Sequence, residues 1–127
     1  MTAAVLDASA VLAVYFDEPG GERVLRVLPD ALLSAVNYTE VIGKCLDRGD
    51  TPDHAVRKLA TLGFHIVAHD AALARRAGEM RTLTKRLGLS LADRACLALA
   101  ERENLPVFTA DKNWSKAGLV LDIRIIR

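Results

Sequence analysis

Ala3-Ala4-Val5-Leu6-Asp7 joins a short apolar run to an acidic side chain, and Val107-Phe108-Thr109-Ala110-Asp111 repeats that arrangement much later in the chain. Similar β-branched or apolar runs occur at Ala31–Ser34, Phe64–Val67 and Leu119–Ile126. Segments with helical periodicity separate these runs. Strands that alternate with helices need crossover connections, which favour a parallel sheet covered on both faces. The sequence therefore predicts an α/β fold, a three-layer sandwich with a mainly parallel sheet of about five strands.

Length and composition predict one packed domain over residues 1–127. Hydrophobic residues make up 51% of the chain and charged residues 26%, which is typical of a core with a well-solvated surface. No stretch approaches the roughly 18 apolar residues that a membrane span needs. We therefore expect a cytoplasmic protein without membrane contact. Cys45 and Cys96 lie in helical apolar patterns, which predicts reduced core thiols.

Four acidic residues follow or accompany these predicted elements. Asp7 and Asp111 come after two of the strands, whereas Glu40 and Asp93 lie in two amphipathic helices. Ligands of an open parallel sheet bind beyond the carboxyl ends of its strands, where the strand order reverses. Carboxylate oxygens suit hard cations such as Mg²⁺ or Mn²⁺, which commonly drive chemistry on phosphates. If the two strands are neighbours, the four acids predict the metal site of a phosphodiester-cleaving enzyme.

Helix capping is the alternative role for each acid. Ser90-Leu91-Ala92-Asp93 has the pattern of a capping box, and Asn37-Tyr38-Thr39-Glu40 can be interpreted in the same way. Asp7 and Asp111 could each cap the element that follows. Capping accounts for the acids one at a time, but it does not explain why all four would lie at one edge of the sheet.

Polar residues accompany the first and last acids. Ser9 lies two positions after Asp7, and Thr109 and Asn113 flank Asp111. Hydroxyl and amide groups of this kind can orient a ligating carboxylate. Turn formation explains the same residues equally well.

Charge is distributed unevenly along the chain. Residues 1–70 carry six basic and ten acidic side chains, whereas residues 71–127 carry eleven and six. Between positions 75 and 86, five basic residues accompany Glu79 alone. We interpret this segment as a basic helix that holds a polyanion beside the acidic site, with a solvated helix face as the alternative.

The chain resembles the PIN-domain ribonucleases, and its size and layout are similar to those of VapC-type toxins from bacterial toxin–antitoxin pairs. The resemblance covers essentially the whole chain. Four stretches carry it: Val5–Leu12, Leu33–Val36 leading to Glu40 and Val41, Leu89–Ala100, and Val107–Asp111 followed by Trp114.

The resemblance implies a catalytic role for the acids. Asp7, Glu40, Asp93 and Asp111 take the family's acidic metal-site positions, with Ser9 and Thr109 in support. The implied activity is Mg²⁺- or Mn²⁺-dependent hydrolysis of RNA by water. We expect basic side chains to bind the RNA backbone, namely Arg81, Lys85, Arg86, Lys112 and Lys116. Trp114 could stack on a base, although core packing is the stronger expectation.

The resemblance also implies partners, namely RNA, a cognate antitoxin protein and a second copy of the chain in a homodimer. A non-enzymatic alternative stays open: a receiver-like or interaction module with an acidic Mg²⁺-binding pocket. A phosphoacceptor receiver usually has adjacent acids before its acceptor strand, and this chain lacks them.

Overall fold

The computed structural model describes residues 3–127 and contains one five-stranded sheet in which every strand pairing is parallel. The strands are β1 (Ala4–Leu6), β2 (Ala31–Ser34), β3 (His65–Val67), β4 (Val107–Thr109) and β5 (Ile123–Ile125). Each predicted run contains a strand. The last run was predicted too long, because β5 is an edge strand and pairs only with the three residues of β4.

The strand order is β3-β2-β1-β4-β5. From β1 the chain moves outward through β2 and β3, then returns to the other side of β1 to form β4 and β5. The order therefore reverses between β1 and β4, where Val5 pairs with Val107 and Leu6 with Phe108. The expected neighbourhood of the two acid-bearing strands is confirmed, and it places Asp7 and Asp111 at the reversal point.

Within residues 3–127, seven α-helices connect and cover the strands. They are α1 (Ala8–Tyr15), α2 (Gly21–Leu25), α3 (Ala35–Asp47), α4 (Pro52–Ala60), α5 (Ala71–Glu79), α6 (Arg81–Thr84) and α7 (Leu91–Glu103). The two longest helices, α3 and α7, begin after serine caps. Ser34 accepts a hydrogen bond from the Val36 N–H, and Ser90 accepts one from the Asp93 N–H.

Two apolar clusters lie on opposite faces of the sheet, because successive strand side chains alternate between the faces. Ala4 and Leu6 pack with residues of α1, α3 and α4, whereas Val5 packs with residues of α5 and α7. This arrangement confirms the three-layer α/β prediction. Cys45 and Cys96 are both buried and free, as expected.

Trp114 is fully buried in the second cluster, so the suggestion that it stacks on a base is wrong. Within residues 3–127, no helix has both the length and the apolar character needed to cross a membrane.

Candidate active site

Asp7 lies at the carboxyl end of β1 and is 6% exposed. Its N–H donates to the Phe108 carbonyl, which extends the β1–β4 pairing by one residue. Although Asp7 precedes α1, its side chain makes no capping hydrogen bond. Its Oδ2 instead accepts bonds from Ser9 Oγ at 2.8 Å and Thr109 Oγ1 at 2.9 Å. Capping therefore does not account for this carboxylate.

The two hydroxyls that bind Asp7 have their orientation fixed by backbone donors. Ser9 Oγ accepts the Ala110 N–H at 2.9 Å, and Thr109 Oγ1 accepts the Asp111 N–H at 3.0 Å. A hydroxyl has a single proton, so each of these oxygens directs that proton to Asp7. Thr109 thereby links Asp111 to Asp7.

Burial raises the pKa of the Asp7 carboxyl from 3.8 to about 6, because desolvation disfavours the charged form. The hydrogen bonds from Ser9 and Thr109 lower this pKa, whereas the charges of Asp93 and Glu40 raise it. The same three acids raise the pKa of the buried Cys96 thiol, although burial is the main cause. Glu40 and Asp93 are therefore both close enough to act electrostatically on Asp7 and Cys96.

Glu40 is half-buried on α3, and its Oε1 accepts a bond from Asn37 Nδ2 at 3.1 Å. The capping-box interpretation of Asn37 and Glu40 is wrong, because α3 begins at Ala35 with Ser34 as its cap. Asn37 lies inside the helix and is fully buried. Sequence reasoning missed its contact with Glu40. The available signal was its position on the apolar face, four residues before Val41 and eight before Cys45.

Asp93 and Asp111 both act as caps. The Ser90 N–H donates to Asp93 Oδ2 at 2.9 Å, which completes the predicted capping box. Asp111 Oδ1 accepts the Asn113 N–H at 2.9 Å and caps a 3₁₀ turn over Lys112–Lys116. Asn113 thus contributes its backbone, and its exposed side chain makes no hydrogen bond within residues 3–127.

The four carboxylates share one arrangement. One oxygen of each is bound by a donor from the protein, while the other oxygen has no donor within residues 3–127. None of the four forms an ion pair with a described Lys, Arg or His side chain. Their charge is therefore not compensated by an ion pair within residues 3–127.

Oxygen donors with uncompensated charge fit a hard divalent cation. Across the described chain, however, no three His, Cys, Asp or Glu side chains converge closely enough to form a ready-made ligand set.

The basic segment between positions 75 and 86 is divided among separate elements, so the expectation of one continuous basic helix is wrong. Arg75 pairs with Glu79 on α5, and Arg76 pairs with Glu101 on α7. After α5, the chain continues through α6 and a 3₁₀ turn over Lys85–Leu87, and Met80 and Thr84 are buried. Two of the five basic residues are thus neutralised.

The predicted substrate-binding residues are exposed, and none forms an ion pair within residues 3–127. They are Arg81, Lys85, Arg86, Lys112 and Lys116. Arg86 Nη2 donates to the Lys116 carbonyl at 2.9 Å. This bond brings the basic segment next to the 3₁₀ turn that Asp111 caps.

Residues 4–119 match the family model described as PIN domain. No curated protein is similar enough in sequence to count as a relative. Several solved structures share the fold. A toxin–antitoxin complex from Klebsiella pneumoniae is 21% identical with a TM-score of 0.75, over 98% of each chain.

Two further structures are similar at 16% identity. VapBC2 from Rickettsia felis, bound to a promoter DNA fragment, has a TM-score of 0.77 over 99% of this chain and 100% of that one. VapC20 from Mycobacterium tuberculosis, described as a sarcin-ricin loop cleaving toxin, has a TM-score of 0.73 over 92% and 96%. At these identities the likeness establishes the fold alone.

Proposed function

The chain belongs to the PIN domain family, and on that premise we propose that it is a metal-dependent endoribonuclease, the toxin of a toxin–antitoxin pair. One observation carries this proposal. Each of the four candidate carboxylates keeps one oxygen without a protein donor, and no Lys, Arg or His side chain within residues 3–127 pairs with any of them. Two of them, Asp7 and Asp111, follow the paired strands β1 and β4.

Asp7, Glu40, Asp93 and Asp111 would hold Mg²⁺ or Mn²⁺. The chemistry supplied by such an ion is acidification of water and neutralisation of the charge that develops on the phosphate. Ser9 and Thr109 lower the pKa of Asp7 through their hydrogen bonds and so favour the charged, ligating form. Water attacks the phosphodiester, so no covalent bond forms between the RNA and the protein.

RNA is the proposed substrate. The exposed basic side chains beside Asp111 would bind its phosphates without reading its sequence. The M. tuberculosis neighbour is described as cleaving the sarcin-ricin loop, which supports an RNA substrate for this chain. Neighbours described as toxin–antitoxin or VapBC complexes support a cognate antitoxin as partner. We also propose that the protein forms a homodimer and is located in the cytoplasm.

The decisive experiment incubates purified protein and end-labelled RNA with chelator, Mg²⁺ or Mn²⁺. We expect internal cleavage only with metal, and loss of cleavage in Asp7→Asn purified in parallel, which controls for contaminating nucleases. Equal cleavage by the variant, or none by the parent in either metal, contradicts the proposal. Phosphorylation of the protein by a small phosphodonor under the same conditions would instead favour the receiver-like module.

A further inference from the structure

We propose that Asn37 is a positioning residue of the acidic site, which fixes the Glu40 carboxylate and holds it at a set place relative to the start of α7. The inference rests on the proposed function, because it assigns Asn37 a role in preparing that site for a divalent cation. Asn37 itself touches neither RNA nor the reacting atoms in this assignment.

The burial of the Asn37 amide oxygen is unfavourable for folding. Its side chain is fully buried and occupies the same helix face as Val41 and Cys45, which are both fully buried and apolar. Burial of an amide is costly unless its polar atoms are hydrogen-bonded. Asn37 Oδ1 is buried and has no hydrogen-bond partner in the described chain. The unpaired oxygen therefore adds a cost, and any benefit of the amide must come from its Nδ2 group.

The hydrogen bonds of Asn37 point to the acidic site. Its Nδ2 donates to Glu40 Oε1 at 3.1 Å and to the Ala92 carbonyl at 3.1 Å. Ala92 immediately precedes Asp93, the acid of the α7 capping box. An amide nitrogen has two protons, and these two bonds use both. One atom therefore connects Glu40 on α3 to the residue beside Asp93 on α7.

This connection affects how the two acids meet a cation. The bond to Glu40 is charge-assisted and holds Oε1, while Oε2 has no protein donor within residues 3–127. Groups that orient a metal ligand in this way typically contribute a factor of about 10 to 100 in metal affinity. We expect an effect of that size from Asn37.

Asn37→Leu is the primary test, because leucine has the same branching and similar size but no donor. Calorimetric titration with Mn²⁺ should give a dissociation constant about 10- to 100-fold higher than that of the parent. The variant loses both Nδ2 hydrogen bonds together with the unpaired amide oxygen, so its thermal melt in chelator serves as the folding control for the titration. Thr39→Ala, an exposed neighbour on α3, is the matched control and should bind Mn²⁺ as the parent does.

A double-mutant cycle with Glu40→Gln separates positioning from general support. If Asn37 acts through Glu40, adding Asn37→Leu to Glu40→Gln should weaken Mn²⁺ binding by less than about threefold. An equal loss in both backgrounds, or an unchanged dissociation constant in Asn37→Leu, overturns the inference. Asn37→Ala is assessed by the same criteria if the leucine variant does not fold.

The parent protein distinguishes this inference from the proposed function. If the parent binds Mn²⁺ and cleaves RNA while Asn37→Leu keeps full affinity, only the role of Asn37 is wrong. If the parent neither binds Mn²⁺ nor cleaves RNA, the proposed function fails and the inference falls with it.

Discussion

Asp7 is deeply buried, and no Lys, Arg or His side chain within residues 3–127 pairs with its charge. This combination affects the stability of the fold. Its folded pKa of about 6 lies above the ordinary value of 3.8, so the folded state favours the protonated carboxyl. The stability gained from protonation is present below pH 3.8 and is lost as the pH rises towards 6. Over this window the loss is on the order of 3 kcal/mol.

Asp7→Asn should therefore be more stable than the parent at pH 7 without metal, by up to about 3 kcal/mol. Urea unfolding of both proteins in chelator, between pH 4 and pH 7, measures the difference. We expect it to grow as the pH rises through the range from 3.8 to 6 and then to level off. A difference that does not change with pH would mean that the ionisation of Asp7 is not its source.

Thr109→Val tests the hydroxyls that bind Asp7. Valine has nearly the same shape as threonine but cannot donate, so the pKa of Asp7 should rise further. The acid limb of the pH–rate profile for RNA cleavage should move to higher pH in this variant. Ser115→Ala, which removes an exposed hydroxyl bonded to the Lys112 carbonyl, is the control and should leave the profile in place. A uniform drop in rate at every pH would mean that the Thr109 hydroxyl does not act through the pKa of Asp7.

At the scale of elements, the start of α7 has two tasks. Asp93 Oδ2 closes the capping box with Ser90, and its Oδ1 has no protein donor within the described residues. Asp93→Asn therefore removes both a carboxylate of the candidate site and one half of the capping box. Loss of the cap should destabilise the fold by about 1 kcal/mol, whereas loss of a like charge from the site should stabilise it.

Ser90→Ala and Asp93→Asn should separate these two tasks. Ser90→Ala removes the hydroxyl half of the cap and should cost about 1 kcal/mol with or without Mn²⁺. Asp93→Asn removes a site carboxylate, so Mn²⁺ should stabilise it much less than it stabilises Ser90→Ala. Thermal melts in chelator and in millimolar Mn²⁺ test this. Equal metal-induced shifts in the two variants would remove Asp93 from the metal site.

The segment from α6 through the following 3₁₀ turn is the proposed RNA contact. Arg81→Glu combined with Lys85→Glu should weaken RNA binding and flatten its dependence on salt, because fewer counterions are released. The control is Arg26→Glu with Arg57→Glu, which makes the same charge change at two exposed residues that form no ion pair within residues 3–127. If both double variants lose the same affinity, net charge and not this segment governs binding.

At the scale of the whole molecule, the pairing of β1 with β4 brings together the strand ends that Asp7 and Asp111 follow. Because their charges are uncompensated, a cation that binds only the folded state should raise the melting temperature. At a Mn²⁺ concentration about 100 times its dissociation constant, the gain is about 2.7 kcal/mol, or on the order of 10 °C. Differential scanning calorimetry measures it. A parent protein that melts identically in chelator and in Mn²⁺ would contradict the metal site.

The sequence by itself determined the strands, the layers and part of the candidate site. Apolar runs marked all five strands, and the spacing of Ser90 and Asp93 marked the capping box. These features depend on residues within a few positions of one another, so a local pattern is sufficient to predict them. The same locality explains the error over β5, whose length is set by its partner β4 and not by its own apolar run.

Only the tertiary structure decided which groups meet. Thr109 and Ser9 bind the same oxygen of Asp7, although Thr109 and Asp7 are 102 residues apart. The bond of Asn37 to the Ala92 carbonyl spans 55 residues, and the burial of Trp114 requires the whole second cluster. Such contacts follow from strand order and helix packing, which form only when the chain closes its long-range connections. Hence the sequence could indicate which residues carry the chemistry, but the fold decided how each one is held.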